Sequence, residues 1–166
     1  MQLNHYNTNF NKQTFPITLV CDNVNNAPNI GSLFRIADAF GIEKLILCGE
    51  NIQLGRKMAK TSRATEKVID YEMNLDASEV IKDLKSKNYQ IISLEITDSS
   101  QPIHKVQFSK EKPIALIIGD ENFGVSEDIL KKSSTIIHIE MFGQNSSMNV
   151  VQATNIALYE ITKQLL

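Results

Sequence analysis

Apolar runs rich in β-branched residues alternate along the chain with segments in which apolar residues recur at helical spacing. The apolar runs predict β-strands, which we place at residues 15–21, 44–48, 66–72, 89–96, 113–119 and 135–141. The helical spacing predicts α-helices, which we place at residues 29–41, 76–88 and 148–166. Because continuous apolar strands that alternate with helices are typical of a sheet buried on both faces, we predict an α/β fold with a mostly parallel sheet and helices on both faces.

The length and composition fit one globular domain. With 166 residues, 42% hydrophobic and 22% charged, the chain is predicted to form a single domain over residues 1–166, with residues 1–14 as a flexible N-terminal segment. No apolar run approaches the roughly 18 residues of a membrane span, and the start lacks a signal-peptide pattern. We therefore expect a soluble cytoplasmic protein without membrane association. The net charge of −2 argues against a protein that simply coats nucleic acid, but it allows a local basic patch.

The cysteines and histidines do not predict a metal site or a disulfide framework. Cys21 and Cys48 each end an apolar strand-like run, which favours small buried hydrophobic residues. His5, His104 and His138 show no metal-ligand spacing, and His138 is interpreted as structural. We expect no metal.

Three polar segments follow apolar strands and lead into helices. They are "NVNNAPNIGSLFR" (23–35), "GDENFGVS" (119–126) and "EMFGQNSSMN" (140–149). In parallel sheets, ligands bind beyond the carboxyl ends of the strands. The density of Asn, Gly, Ser and carboxylates in these segments therefore predicts a polar ligand site at that edge.

The first segment contains one arginine, Arg35, whose guanidinium is a candidate for binding an anion. Pro28 and Asn29 are predicted to open a helix, and Arg35 lies off its apolar stripe. Gly31, one turn before Arg35, is predicted to leave space beneath it, which suits a clamp for a phosphate or carboxylate. The alternative is a surface ion pair between Arg35 and Asp38.

The second segment resembles a phosphate-binding loop without its charge. A P-loop reads G-x-x-x-x-G-K-[ST], whereas this one has Val125 in place of the lysine and carries two carboxylates, Asp120 and Glu121. A nucleotide hydrolase is therefore improbable. Glu121 could accept hydrogen bonds from a ligand or pair with Arg35, or it could act with the dipole of the polar helix that follows.

The third segment, "GQNSSMN", supplies several N-cap residue types before the closing helix. Ser146, Ser147 and Asn149 all suit an N-cap, but capping accounts for only one of them. The chain contains no G-x-G-x-x-G, which weakens an ordinary dinucleotide-binding interpretation.

Taken in this order, the three segments resemble the motifs of the SpoU (TrmH-like) branch of the SPOUT RNA 2′-O-ribose methyltransferases. The matching positions are Asn29, Gly31, Arg35, Ala37, Phe40 and Gly41, then Gly119, Glu121, Gly124 and Ser126, then Ser147, Met148, Asn149 and Val150. The resemblance runs from about residue 17 to the end, in a minimal single-domain form. One difference is Glu140, which stands where the family usually has proline in Ile-Pro-Met.

The resemblance implies a fold, a reaction and partners. The family fold is an α/β sheet with a C-terminal deep trefoil knot, which forms the site for S-adenosylmethionine. The enzymes work as homodimers with the closing helix at the interface. The implied activity is methyl transfer from that cofactor to a ribose 2′-hydroxyl of tRNA or rRNA.

The resemblance also implies roles for single residues. Arg35 would meet the phosphate beside the target nucleotide and orient its 2′-hydroxyl, and Asn29 would position Arg35. Glu121, Ser147 and Asn149 would complete the catalytic site. The cofactor would be held by Leu94, Gly119, Ile139, Met141, Ser147 and Met148.

RNA contact is predicted for the basic stretch "LGRKMAKTSRATEK" (54–67). Its cations are Arg56, Lys57, Lys60, Arg63 and Lys67. The alternative for this stretch is an ordinary solvated helix face.

Two other functions were weighed. A catalytically inactive RNA-binding protein of the SPOUT fold is the first, and the intact motif residues argue against it. A flavodoxin-like small-molecule binder is the second, and it explains the polar loops at the strand ends but not the order of the three motifs.

Overall fold

The computed structural model of the chain describes residues 8–166. The first seven residues of the predicted N-terminal segment, including His5, lie outside the described residues. Residues 8–14 form neither helix nor strand, and the first strand begins where Phe15 N donates to Gly41 O at 2.8 Å.

Within residues 8–166, seven strands form one sheet in which every neighbouring pair is parallel. The strands are β1 (Phe15–Asp22), β2 (Ile42–Cys48), β3 (Tyr71–Asn74), β4 (Gln90–Leu94), β5 (Gln101–Pro102), β6 (Ile114–Gly119) and β7 (Thr135–His138). Their order across the sheet is β3-β2-β1-β6-β4-β7-β5. The helices are α1 (Ala27–Ala39), α2 (Arg56–Ser62), α3 (Ala77–Ser86), α4 (Glu127–Lys132) and α5 (Val150–Leu165), with short 3₁₀ turns at Thr65–Lys67 and Ile103–Lys105.

Both faces of the sheet are buried because successive strand residues point to opposite sides. On β1, Leu19 packs with the cluster that contains apolar residues of α1, α2 and α5, whereas Val20 packs with the cluster that contains those of α3 and α4. The predicted α/β sheet with helices on both faces is confirmed. Among residues 8–166, no helix combines the length and apolar character that a bilayer crossing requires.

The two cysteines are free and buried, as predicted. Removal from water disfavours the charged thiolate, so burial raises the pKa of the Cys48 thiol to about 12 and also raises that of Cys21. Both residues therefore act as small core side chains.

The predicted strand at 66–72 is wrong over most of its length. A 3₁₀ turn occupies Thr65–Lys67, and β3 begins only at Tyr71 and continues to Asn74. The chain leaves α2 through two left-handed residues, Arg63 and Ala64. Ser62 Oγ then donates to Glu66 Oε2 at 2.5 Å, which holds the turn. The strand predicted at 135–141 is shorter in the structure, where β7 ends at His138.

Helix α2 was not predicted as a separate element, because only Met58 and Ser62 of its seven residues are buried. It packs on α1 at Gly31, where a Cβ atom would collide with Thr61 Oγ1 and Met58 O. The space beside Gly31 is therefore filled by α2 and was wrongly predicted to lie beneath Arg35.

Candidate active site

A cavity of about 580 Å³ opens at the carboxyl edge of the sheet, beside the ends of β4, β6 and β7. Its walls come from the chain after β4, the loop after β6, the loop after β7 and the start of α5. The residues that line it include Leu94, Glu95, Ile118, Gly119, Glu121, Phe123, His138, Ile139, Met141, Ser147, Met148 and Asn149. The cavity therefore lies at the edge where the sequence predicted a polar ligand site.

A hydrogen-bonded cluster joins the three polar segments at the cavity. Glu121 Oε1 accepts from Asn29 Nδ2 at 2.6 Å and from Asn149 Nδ2 at 3.0 Å, and Asn149 Nδ2 is 3.4 Å from Asn29 Oδ1. We call Asn29, Glu121 and Asn149 the amide–carboxylate cluster. Asn149 also caps α5, since its Oδ1 accepts from Val151 N at 2.9 Å.

The cluster corrects two expectations about helix starts. Helix α1 begins at Ala27 with Asn26 as its N-cap, so Asn29 lies inside the first turn and its side chain is free to reach Glu121. The N-cap of α4 is Ser126, and Glu121 turns toward the two amides instead of toward that helix.

The loop that carries Glu121 is held by hydrogen bonds within the loop itself. Asp120 Oδ1 accepts from Asn122 N at 2.8 Å and from Phe123 N at 3.0 Å, and Asp120 pairs with Gly124 in an isolated bridge. A Cβ atom at Gly119 would collide with the backbone of Gly124, whose φ of 69° is left-handed. Glycine at both positions therefore permits a narrow, closed loop.

Two carboxylates that the sequence analysis missed hold the far end of this loop. Asp22 is only 4% exposed, and its Oδ2 accepts from Ser126 N at 2.9 Å. Glu95 lines the cavity and accepts from Val125 N through Oε2 and from Ile96 N through Oε1, both at 2.9 Å. Asp22 ends an apolar strand and Glu95 directly follows one, and that position was the available signal.

The residues predicted to hold the cofactor all line the cavity: Leu94, Gly119, Ile139, Met141, Ser147 and Met148. His138 lines it as well, and its Nδ1 lies 2.9 Å from Ser100 Oγ. Glu140, which departs from the family pattern, is exposed, with its Oε2 3.8 Å from His104 Nε2. Within residues 8–166, no group of three His, Cys, Asp or Glu side chains has metal-binding geometry.

Arg35 stands apart from this arrangement. It is exposed on α1 and does not line the cavity. In the described part of the chain it forms no ion pair, so neither the Asp38 pair nor the Glu121 pair considered above is present. The side chain of Asn29 bonds to Glu121 and not to Arg35. One chain therefore brings Glu121, Ser147 and Asn149 to the cavity. Asn29 does not line the cavity but bonds to Glu121 at its rim, and Arg35 lies outside it.

A sequence model of the SpoU rRNA methylase family matches residues 16–159, which include all three polar segments and nearly all of the sheet-and-helix core. The chain belongs to the SpoU family.

Three proteins illustrate this relationship. The 23S rRNA (guanosine-2'-O-)-methyltransferase RlmB of Ralstonia nicotianae is 25% identical, over 90% of this chain and 59% of its own length. The crystal structure of the A. aeolicus TrmH/SpoU tRNA modifying enzyme is 27% identical with a TM-score of 0.81, over 92% of this chain and 76% of that one. The AdoMet-bound rRNA methyltransferase from Sinorhizobium meliloti is 25% identical with a TM-score of 0.79, over 95% and 59%. The chain thus spans between 59% and 76% of the length of these proteins.

The basic stretch of this SpoU chain lies on α2 and just after it. Arg56, Lys57, Lys60 and Arg63 are exposed, and none of them forms an ion pair with any residue of the described range 8–166. By contrast, lysines on the opposite face, such as Lys132 on α4, are paired with acids. The SpoU chain therefore has unpaired positive charge on the helix that packs against α1.

Proposed function

We propose that this chain transfers a methyl group from S-adenosylmethionine to a ribose 2′-hydroxyl of tRNA or rRNA. The observation that carries the proposal is the amide–carboxylate cluster, because it ties the three SpoU motif segments together at the rim of one cavity. The activities in the names of the RlmB and TrmH/SpoU relatives support the same reaction class.

The chemistry of the cavity suits the cofactor. Leu94, Ile118 and Met148 offer apolar surface for an adenosine, and the carboxylates of Glu95 and Glu121 are compatible with a positive charge. When bound, the cofactor supplies a methyl group on a positively charged sulfur. The residues that would hold it are Leu94, Gly119, Ile139, Met141, Ser147 and Met148. The AdoMet-bound S. meliloti structure supports this choice of cofactor.

The proposed mechanism depends on alignment. Asn29, Glu121, Ser147 and Asn149 would fix the nucleotide at the cavity, so that the 2′-oxygen faces the methyl donor. Arg35 would bind the phosphate beside that nucleotide. A guanidinium keeps its charge at physiological pH, so Arg35 is suited to orientation and electrostatic stabilisation more than to proton abstraction.

The finer parts of the proposal concern assembly and location. We place a deep trefoil knot in the C-terminal part, a homodimer as the active form and the cytoplasm as the compartment. The sheet order supports a threaded C-terminal part, since β6 lies between β1 and β4 and β7 lies between β4 and β5. Ile156 and Tyr159 on α5 are 40% and 61% exposed, which supports contact of α5 with a second copy.

A second candidate is an RNA-binding protein of this fold without catalysis. The position of Arg35 outside the cavity of a single chain favours it. Both candidates use the basic residues Arg56, Lys57, Lys60 and Arg63 for phosphate contact.

Transfer of tritium from labelled cofactor into bulk tRNA and rRNA separates the two candidates. We expect incorporation that appears as 2′-O-methylated nucleosides after nuclease digestion. Arg35→Ala should lower this rate by about 100-fold through lost alignment and leave cofactor affinity, measured by calorimetry, unchanged. Lys82→Ala, on the opposite face of the sheet, is the matched control. Undiminished turnover by Arg35→Ala would defeat the assignment of Arg35, and RNA binding without any transfer by the wild-type protein would favour the second candidate.

A further inference from the structure

Two phenyl rings stand in solvent close to the cavity, although burial of an aromatic side chain is normally favourable. Phe123 and Phe142 each expose 91% of their surface. Only Phe123 lines the cavity, and it lies on the same closed loop as Glu121. A ligand in the cavity can therefore contact both the ring of Phe123 and the carboxylate of Glu121.

The loop holds the backbone of Phe123 in place. The backbone N–H of Phe123 itself donates to Asp120 Oδ1 at 3.0 Å, and the neighbouring Asp120–Gly124 bridge closes the loop. Val125, two residues on, is tied through its N–H to Glu95 Oε2 at 2.9 Å. A ligand that packs against the ring has little backbone left to order, which favours binding.

The charges around the ring indicate which part of an RNA it would contact. Asp120 and Glu121 lie two or three residues before Phe123, and both disfavour a nearby phosphate. A nucleobase is neutral and offers a flat π-face, which stacks on aromatic side chains with little regard to sequence. The unpaired cations of α2 are the groups suited to phosphate.

We propose that Phe123 stacks on an unpaired nucleobase of the RNA, at or next to the nucleotide whose ribose is methylated. This inference rests on the proposed function, and it divides RNA recognition between a base-stacking loop at 119–124 and phosphate contacts from α2.

The test measures equilibrium binding of a fluorescent, mixed-sequence single-stranded RNA of about 20 nucleotides, whose length exceeds common single-strand site sizes. Phe123→Ala and Phe123→Leu should raise the dissociation constant by about 5- to 150-fold, whereas Phe123→Tyr and Phe123→Trp should stay within about twofold, because only the latter two keep a π-face. Phe142→Ala is the matched control and should bind as the wild type does. On a fully paired RNA duplex of the same length, the effect of Phe123→Ala should disappear.

Several results would overturn the inference. They are equal binding by Phe123→Leu and Phe123→Tyr, unchanged binding by every variant, an equal loss in Phe142→Ala, weaker cofactor binding in Phe123→Ala, or a change of oligomeric state in that variant. Failure of the proposed function has a different signature. A wild-type protein that transfers no methyl group, yet binds single strands in a Phe123-dependent way, would refute methyl transfer and retain the stacking site.

Discussion

Glu121 is an exposed carboxylate that connects separate parts of the chain. Its Oε1 atom accepts from an amide in the first turn of α1 and from the amide that caps α5. Both donors use the same oxygen atom, so the arrangement requires one well-placed acceptor. It follows that the position of this oxygen, more than the negative charge, fixes the geometry of the site.

Substitutions at Glu121 distinguish its role as a hydrogen-bond acceptor from the role of its negative charge. Glu121→Ala should lower kcat/KM for methyl transfer by about 100-fold, because Asn29 and Asn149 lose their common partner and alignment is lost. Glu121→Gln keeps a carbonyl acceptor and should stay within about tenfold of the wild type. The free energy of unfolding in urea should change by less than about 1 kcal/mol in either variant, since the group is exposed.

Glu127→Ala is the control, because it removes an exposed carboxylate of α4 that pairs only with Lys131. If Glu121→Gln were as damaging as Glu121→Ala, the charge itself would be required and the acceptor role would be refuted.

Asp22 and Glu95 are carboxylates at the ends of apolar strands, and their hydrogen bonds explain why they lie there. Asp22 ends β1 and Glu95 follows β4, and both take the backbone N–H groups of neighbouring loop residues, Ser126 and Val125. Buried or partly buried N–H groups need such partners. These two acids therefore hold the end of the loop at Val125 and Ser126, and the same loop carries Glu121 and Phe123.

Helix α2 is mechanically joined to the site through α1. Thr61 Oγ1 donates to Pro28 O at 3.0 Å, directly before Asn29, and Gly31 allows the close contact. The helix that carries the unpaired cations is thereby connected to the segment that carries Asn29. This arrangement suits a protein in which α2 binds the phosphates of an RNA while the loop at 119–124 positions one nucleotide.

The salt dependence of RNA binding tests the role of α2. The double variant Lys57→Gln, Lys60→Gln should bind more weakly, and its slope of log affinity against log salt should be shallower than that of the wild type by about 0.7 to 0.9 per lost phosphate contact. Lys82→Gln combined with Lys131→Gln removes the same charge from the opposite face and should leave the slope unchanged. An equal slope in the wild type and the α2 variant would show that α2 is only a solvated helix face.

The strands of the core could be predicted because both of their faces are buried. β1 and β6 are continuous apolar runs, and such runs have few alternatives. The elements that the hydrophobic pattern did not predict contain few buried residues. α2 buries two residues, and β5 contains only Gln101 and Pro102. β3 has no buried residue, so its start could not be read from hydrophobicity.

The site also contains features that the sequence predicts and features that it does not. Asn29, Glu121 and Asn149 belong to motif segments, and parallel-strand topology predicts that such segments meet at one edge. Their hydrogen-bond partners could not be predicted, and Glu121 was expected to pair with Arg35 or to act on a helix dipole. Asp22 and Glu95 were missed because their partners are backbone N–H groups, which no side-chain pattern reveals.

The arrangement of the entire chain leaves one predicted catalytic group outside the cavity. Arg35 lies six residues beyond Asn29 on α1, or about 9 Å along the helix axis at 1.5 Å per residue. The first turn of α1 approaches the cavity only through Asn29, which donates to the cavity-lining Glu121. The homodimer proposed above would supply a guanidinium at this cavity from a second copy of the chain, and the exposed apolar residues of α5 support that proposal.

Complementation between two inactive variants tests this arrangement. Arg35→Ala keeps an intact cavity, and Glu121→Ala keeps an intact Arg35. When the two are co-expressed in equal amounts, random pairing should give hybrid dimers with one complete site each, so activity should recover to about a quarter of the wild-type value. Each variant alone should stay at about a hundredth of the wild-type activity, and size measurements should give twice the mass of the chain. Because an Arg35 that serves the cavity of its own chain could not be rescued, a mixture as inactive as its components would contradict the shared site.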